Sequence, residues 1–287
     1  MDIIPQVAVN SIIAGSIYAL VAFGFNLIFS TTKFFNLSHG IVIVFGGYIV
    51  FFLSRNLELN LGISIPLGII AAGGLGFLLE KIIFLPLRKK KSSNMILLVA
   101  SLGAFAVIQA VISILFTNQF TSLSSGNISK TYSAYSAFFT ETQIFLVITT
   151  ILILVFLSVA LEKTFLGKAY KAISDDEEVA KIVGINTDKI IGYVFFIGSA
   201  LAGITGIFMG FDTGLEPSMG LPLLLKGIIA SIVGGLGNIY GGFLGAFVLG
   251  FAENFGIIKI SSEWKDAIAF TILILFLIFR PKGIINK

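Results

Sequence analysis

Nine apolar stretches, at roughly 6–29, 37–54, 63–85, 95–116, 142–161, 190–211, 221–234, 240–257 and 266–280, alternate with short polar breaks along the chain. Within each stretch the apolar positions run continuously instead of alternating, which specifies helices and argues against a β-barrel. A hydrocarbon core of ~30 Å takes about 20 apolar residues as helix, and most stretches reach or approach that length. The pattern predicts an all-α polytopic membrane protein with about nine transmembrane helices, forming one transmembrane domain over residues 1–287. The stretch at 221–234 is an exception, because about 14 residues give only ~21 Å. A strongly tilted, broken or partly re-entrant element is expected there, ending in a tight turn at the helix-breaking Gly234, Gly235 and Gly237.

The polar breaks orient the chain. Of the 19 basic residues, fourteen fall on one side: Lys33, Lys81, the run Arg88, Lys89, Lys90 and Lys91, five lysines within 162–189, and Arg280, Lys282 and Lys287. Arg55, Lys130, Lys259 and Lys265 fall on the other, and Lys226 is left inside a stretch. Short basic loops stay cytoplasmic, so the amino terminus is expected outside and the carboxyl terminus inside, which requires an odd number of crossings. Two crossings over 221–257 satisfy that parity. The break at 117–141, with Ser122, Ser124, Ser125, Gly126 and Asn127, reads as a polar external loop, either a plain connector or a contact for an extracellular partner. Its sequon Asn127-Ile128-Ser129 is taken as chance.

Composition narrows the function classes. A hydrophobic share of 56%, a charged share of 12% and a mean hydropathy of +1.02 fit a membrane protein. The pI of about 9.2 reflects residues that set orientation, and no nucleic-acid role follows from it. The absence of cysteine excludes disulfides, thiolate catalysis and cysteine-ligated metal. With Lys33 as the first basic residue there is no charged leader region, so the first stretch is expected to be retained as a span. Gly167-Lys168 lacks the flanking residues of a phosphate-binding loop, so any ATP that drives the protein is hydrolysed by another chain.

Residues 162–189 gather 11 charges in an otherwise greasy chain and read as a cytoplasmic loop. Ser174 with Glu177 fits a capping box, Asp175 and Asp176 suit the positive end of a helix, and Glu178 follows in the same candidate docking segment. Gly184 is the expected stop, giving a short helix over about 175–183 with Val179, Ile182 and Val183 on one face and Asp176, Glu177 and Lys181 more exposed. Asn186, Thr187 and Asp188 offer caps for the next helix. Two readings stand together: a docking helix for a soluble motor, or a solvated connector with good caps. Elsewhere Asn36, Ser38, His39 and Gly40 stand where the second stretch enters the membrane, and His39 is the single histidine. Lys226 and Glu253 are placed to pair across the glycine turn, either stabilising the bend or lining a path for a zwitterionic solute. Small residues four apart at Ala202, Gly206, Gly210 and Gly214, and at Gly241 and Gly245, allow close helix approach.

Four segments taken in order carry a resemblance: 10–20 (NSIIAGSIYAL), 35–48 (FNLSHGIVIVFGGY), 171–186 (KAISDDEEVAKIVGIN) and 231–253 (SIVGGLGNIYGGFLGAFVLGFAE), with 261–284 fitting as well. Together they resemble the branched-chain amino acid ABC transporter permeases, LivH-type subunit, over nearly the whole chain. Asn36-Leu37-Ser38-His39-Gly40 is similar to that family's Asn-x-x-His-Gly motif, whereas Ile41 stands where the family often carries glutamate. The resemblance implies a multi-pass protein of a bacterial-type plasma (inner) membrane, paired with a LivM-like permease. It further implies LivG- and LivF-like ATPases that hold the ATP, an external solute-binding protein, and no cofactor in this chain. It also makes 174–184 the segment that couples to an ATPase. Family members also serve urea or short amides, and an ion-coupled secondary transporter using Lys226, Glu253 and His39, or a membrane scaffold, are the rival classes.

Overall fold

A computed structural model describes residues 3–124, 130–258 and 260–285. Ser125, Gly126, the sequon Asn127-Ile128-Ser129, Lys259 and Lys287 lie outside the described residues. In chain order the helices begin with α1 (Ile4–Thr32), α2 (Ser38–Phe51), α3 (Leu61–Leu79), α4 (Leu85–Lys89) and α5 (Asn94–Phe116). A hairpin of β1 (Thr131–Ala134) and β2 (Ala137–Thr140) precedes α6 (Glu141–Lys163), α7 (Phe165–Asp175), α8 (Glu177–Ile182) and α9 (Thr187–Asp212). The chain continues with α10 (Gly220–Gly234), α11 (Ile239–Gly256) and α12 (Lys265–Phe279).

Among the described residues, six helices are long and apolar enough to cross a membrane: α1, Ser38–Asn56, Leu61–Lys89, α5, α6 and α9. The other three apolar stretches form shorter helices. α10 and α11 are bent by 113° at their break, and α12 has 15 residues. The long third span holds a π turn over Glu80–Phe84 that joins α3 to α4. Pro86 follows it and offers no amide hydrogen, so the regular ladder is interrupted without ending the helix.

Two compact units make up the chain. One comprises Leu27–Leu123 and Val155–Leu224. Its centre is α2 packed on α3 and α9 by backbone approach, because small residues let helices close when lipid supplies no hydrophobic drive. A β-carbon on Gly46 would meet Gly203 Cα at 2.5 Å, and one on Gly206 would collide with the Ile43 carbonyl. Ile41, Val44, Tyr48, Phe105, Ile207 and Leu215 belong to its buried core.

The other unit comprises Met1–Asn26, Ser124–Leu154 and Leu225–Lys287. Gly250 fits against Ser11 and Gly15 of α1, and Gly245 against the Ala230 carbonyl. Its buried hydroxyls donate back to carbonyls four residues earlier, Ser11 to Val7 and Thr150 to Leu146, which satisfies them without water. The expected plain loop at 117–141 is corrected here, since β1 and β2 form an antiparallel hairpin with Thr131 opposite Thr140. Its turn residues Tyr135 and Ser136 both take positive φ, +48° and +67°, the geometry of a two-residue hairpin turn built without glycine or asparagine. Gln6 of α1 holds the hairpin edge, accepting from Phe138 N at 2.7 Å and donating to its carbonyl at 3.1 Å.

Candidate functional site

The charged segment folds as three elements. α7 is amphipathic: Ala169, Tyr170 and Ile173 are buried while Lys168 and Lys171 face out, and Thr164 caps its start by accepting from Gly167 N at 3.0 Å. Burial pushes the Tyr170 phenol up to about 12, so it stays a neutral part of that packed face at physiological pH. Ser174 lies buried in the last turn of α7, where its carbonyl accepts the Lys33 ammonium at 2.7 Å. The expected capping box is therefore corrected, because Ser174 belongs to the preceding helix and Asp175 ends it.

Asp176 is the true cap. Its backbone is extended (φ −153°, ψ 114°), and its Oδ1 accepts from Glu178 N at 2.8 Å and Val179 N at 3.0 Å. α8 starts at Glu177, two residues later than the spacing suggests, because burial of the Tyr170–Ile173 face carries α7 through Asp175. Glu177 does not reach back to a cap amide; it takes Lys181 at 2.7 Å and the Thr187 hydroxyl at 3.3 Å. At the far end Gly184 adopts φ +87°, with its amide on the Lys181 carbonyl and Ile185 N on the Ala180 carbonyl, both at 3.0 Å. Asn186 Oδ1 then accepts from Lys189 N at 3.1 Å and opens α9. Between the two caps Ala180 is buried, while Val179, Ile182 and Val183 are 54%, 83% and 68% exposed.

One side chain reaches this helix from far along the sequence. The Arg88 guanidinium meets Glu80 Oε1 at 2.5 Å, Glu177 Oε1 at 3.5 Å and Asp188 Oδ1 at 3.9 Å, and Lys89 adds a second contact to Asp188 at 3.5 Å. Glu80 is wholly buried. Sequence reasoning treated Arg88 only as an orientation marker and passed over Glu80; an acid within an apolar stretch was the available signal.

At the start of α2, Asn36 Oδ1 accepts from Ser38 N at 3.1 Å and Ser38 Oγ at 2.6 Å, an Asx turn that launches the helix. Leu37 N donates to Ser101 Oγ at 2.9 Å. His39 is buried one residue on, and a β-carbon on Gly40 would lie 2.7 Å from the Gly220 carbonyl, so this glycine lets the start of α10 approach α2.

Lys226 of α10 and Glu253 of α11 pair at 2.5 Å, the partnership their spacing suggests. Two members escaped the sequence reading. Tyr18 of α1 donates to Glu253 Oε2 at 2.7 Å, and Asp266 of α12 meets Lys226 at 2.8 Å. The break between α10 and α11 has Gly235 at φ +120° and Gly237 at φ +77°, conformations that glycine adopts without strain. Asn26, also missed, clamps it by accepting from Gly237 N at 3.1 Å and donating to the Asn238 carbonyl at 3.2 Å. Ile284 N and Ile285 N cover the carbonyls of Val233 and Gly234, the last of α10, at 2.9 and 3.0 Å.

Comparison with known proteins matches residues 7–277 to the family model described as branched-chain amino acid transport system / permease component. The chain is 31% identical to the high-affinity branched-chain amino acid transport system permease protein BraD of Pseudomonas aeruginosa, over 98% of this chain and 95% of that one. It is 30% identical to LivH of Salmonella typhimurium over 97% and 94%, and 26% identical to the probable LivH of Methanocaldococcus jannaschii over 96% and 90%. Among solved structures, PsaBC from Streptococcus pneumoniae in complex with Fab aligns with a TM-score of 0.52 at 13% identity, covering 98% of this chain and 93% of that one, a likeness of fold. With the match running nearly end to end, the chain belongs to the branched-chain amino acid transport system permease family.

Proposed function

We propose that this chain is the LivH-type permease subunit of an ATP-binding cassette importer for branched-chain or related hydrophobic amino acids. It works in the bacterial-type inner membrane beside a LivM-like permease, with LivG- and LivF-like ATPases inside and a solute-binding protein outside. The observation that carries the coupling part of this reading is α8, a six-residue helix capped at both ends that leaves Val179, Ile182 and Val183 exposed. An apolar face fixed in place between the Asp176 cap and the Gly184 stop suits a protein partner better than water. Segment 174–184 is thus assigned as the ATPase contact, and the basic residues beside it favour a cytoplasmic carboxyl terminus after nine crossings, α10 and α11 each counting as one.

Asn36, Ser38, His39 and Gly40 are assigned as an entry motif within one unit, and Lys226 and Glu253 as path-lining candidates within the other, where the Gly234, Gly235 and Gly237 break allows irregular backbone at depth. ATP-driven closure of the ATPases then biases one of two permease conformations. Vesicles holding the purified chain alone are expected to take up no leucine, and uptake should appear when the second permease, both ATPases, the binding protein and ATP are supplied. Leucine uptake by the isolated chain contradicts the assignment, and uptake of urea or acetamide by the full complex in place of leucine redirects the solute class.

A further inference from the structure

Taking α8 as the ATPase contact, we propose that Arg88 is a positioning residue that ties α8 to the Leu61–Lys89 span, so that a displacement of α8 is delivered to that span and to α9. The reading goes beyond docking: it concerns how motion leaves the docked helix. Chain connectivity links α8 only to α7 and α9. Arg88 adds a link to a third element, since its guanidinium lies against Glu80 in the π turn of the long span, Glu177 at the first residue of α8 and Asp188 in the first turn of α9. A guanidinium suits this because its five donors diverge in one rigid plane, a fork that an ammonium lacks.

The burial gradient orders the roles. Glu80 is 0% exposed and the Arg88 side chain 11%, whereas Glu177 and Asp188 are 30% and 36% exposed. The inner pair is therefore the anchor, since an acid at that depth is stable only when matched. The outer carboxylates are the contacts that α8 and α9 bring to it. Glu177 is shared further: Lys181 and the Thr187 hydroxyl both meet its carboxylate, so α8 and the start of α9 are joined through the same side chain that meets Arg88. The arrangement resists independent tilting of α8, the property a transmitting helix needs.

Two variants separate linkage from folding, both tested in the complete transporter. Arg88→Lys keeps a cation beside Glu80 but gives up the fork, and Asp188→Asn keeps the Glu80–Arg88 pair and leaves α8 unchanged while removing the acid through which α9 meets Arg88 and Lys89. In each, the ATPases are expected to co-purify at wild-type stoichiometry and ATP hydrolysis to persist. Leucine transported per ATP hydrolysed should fall by about tenfold, within the usual range of coupling between sites. A wild-type transport-to-hydrolysis ratio in both variants overturns the proposal. Loss of ATPase binding in both overturns it as well, because the network would then hold the docking surface and transmit nothing. Failure of the docking reading itself looks different: substitutions on the exposed face of α8 would leave ATPase binding unchanged.

Discussion

Among the described residues, Glu80 and Glu253 are the carboxylates buried within the apolar helices, and they are matched in different ways. Glu80 meets an arginine whose guanidinium also faces Glu177, through Nη1, and Asp188, through the Nη2 that meets Glu80, both within the polar segment. Glu253 meets Lys226, a point charge, and takes a second bond from Tyr18, while Lys226 also holds Asp266 at the start of α12. The first arrangement has one cation reaching several acids across three elements. In the second, Glu253 has two donors and Lys226 two acceptors, one of them the exposed Asp266, and the set fastens α1, α10, α11 and α12 inside one unit. A buried charge in lipid requires a partner in either case; Arg88 supplies it with a planar fork that also faces two acids of the polar segment, and Lys226 with a point charge shared between one buried and one exposed acid.

This contrast can be broken most directly by deleting each cation. Arg88→Met takes from Glu80 the cation that matches it and is expected to cost about 3–5 kcal/mol, read as loss of folded protein by size exclusion and a lower Tm in detergent. Adding Glu80→Gln to that variant should recover most of the loss. Lys226→Met is expected to cost less, because Tyr18 still donates to Glu253. Equal losses in the two would dissolve the distinction. The smaller sharpening is Tyr18→Phe, which removes one bond to a buried charge and should lower stability by roughly 1.5–3 kcal/mol. A neutral result there would make Lys226 the sole effective partner of Glu253.

The nine apolar stretches all fold as helices, because continuous hydrophobicity is a local signal that lipid makes decisive. The break after Gly234 and the Lys226–Glu253 pair were legible for the same reason: glycines cluster at the one, and two charges stand out within apolar runs at the other. The hairpin at 131–140 was hidden because Tyr135 and Ser136 make its turn without the residues that usually announce one. The start of α8 was misjudged by two residues, since the pull of the buried α7 face on Ser174 is a tertiary effect that capping patterns do not carry. Asn26, Tyr18 and Asp266 are single polar residues whose meaning depends on helices distant in sequence, and the Arg88 network joins residues that no periodicity links.

On the proposed reading, α8 presents its apolar face to an ATPase. Ile182→Asp combined with Val183→Asp leaves the Asp176 cap, the Gly184 stop and the Arg88 contacts in place, and both side chains are already exposed, so the fold is expected to persist. Pull-down of the ATPase subunits by the affinity-tagged complex should then drop by at least about tenfold, as expected on placing charges in the apolar core of an interface. ATPase recovery equal to wild type from a folded, membrane-inserted variant would contradict the account.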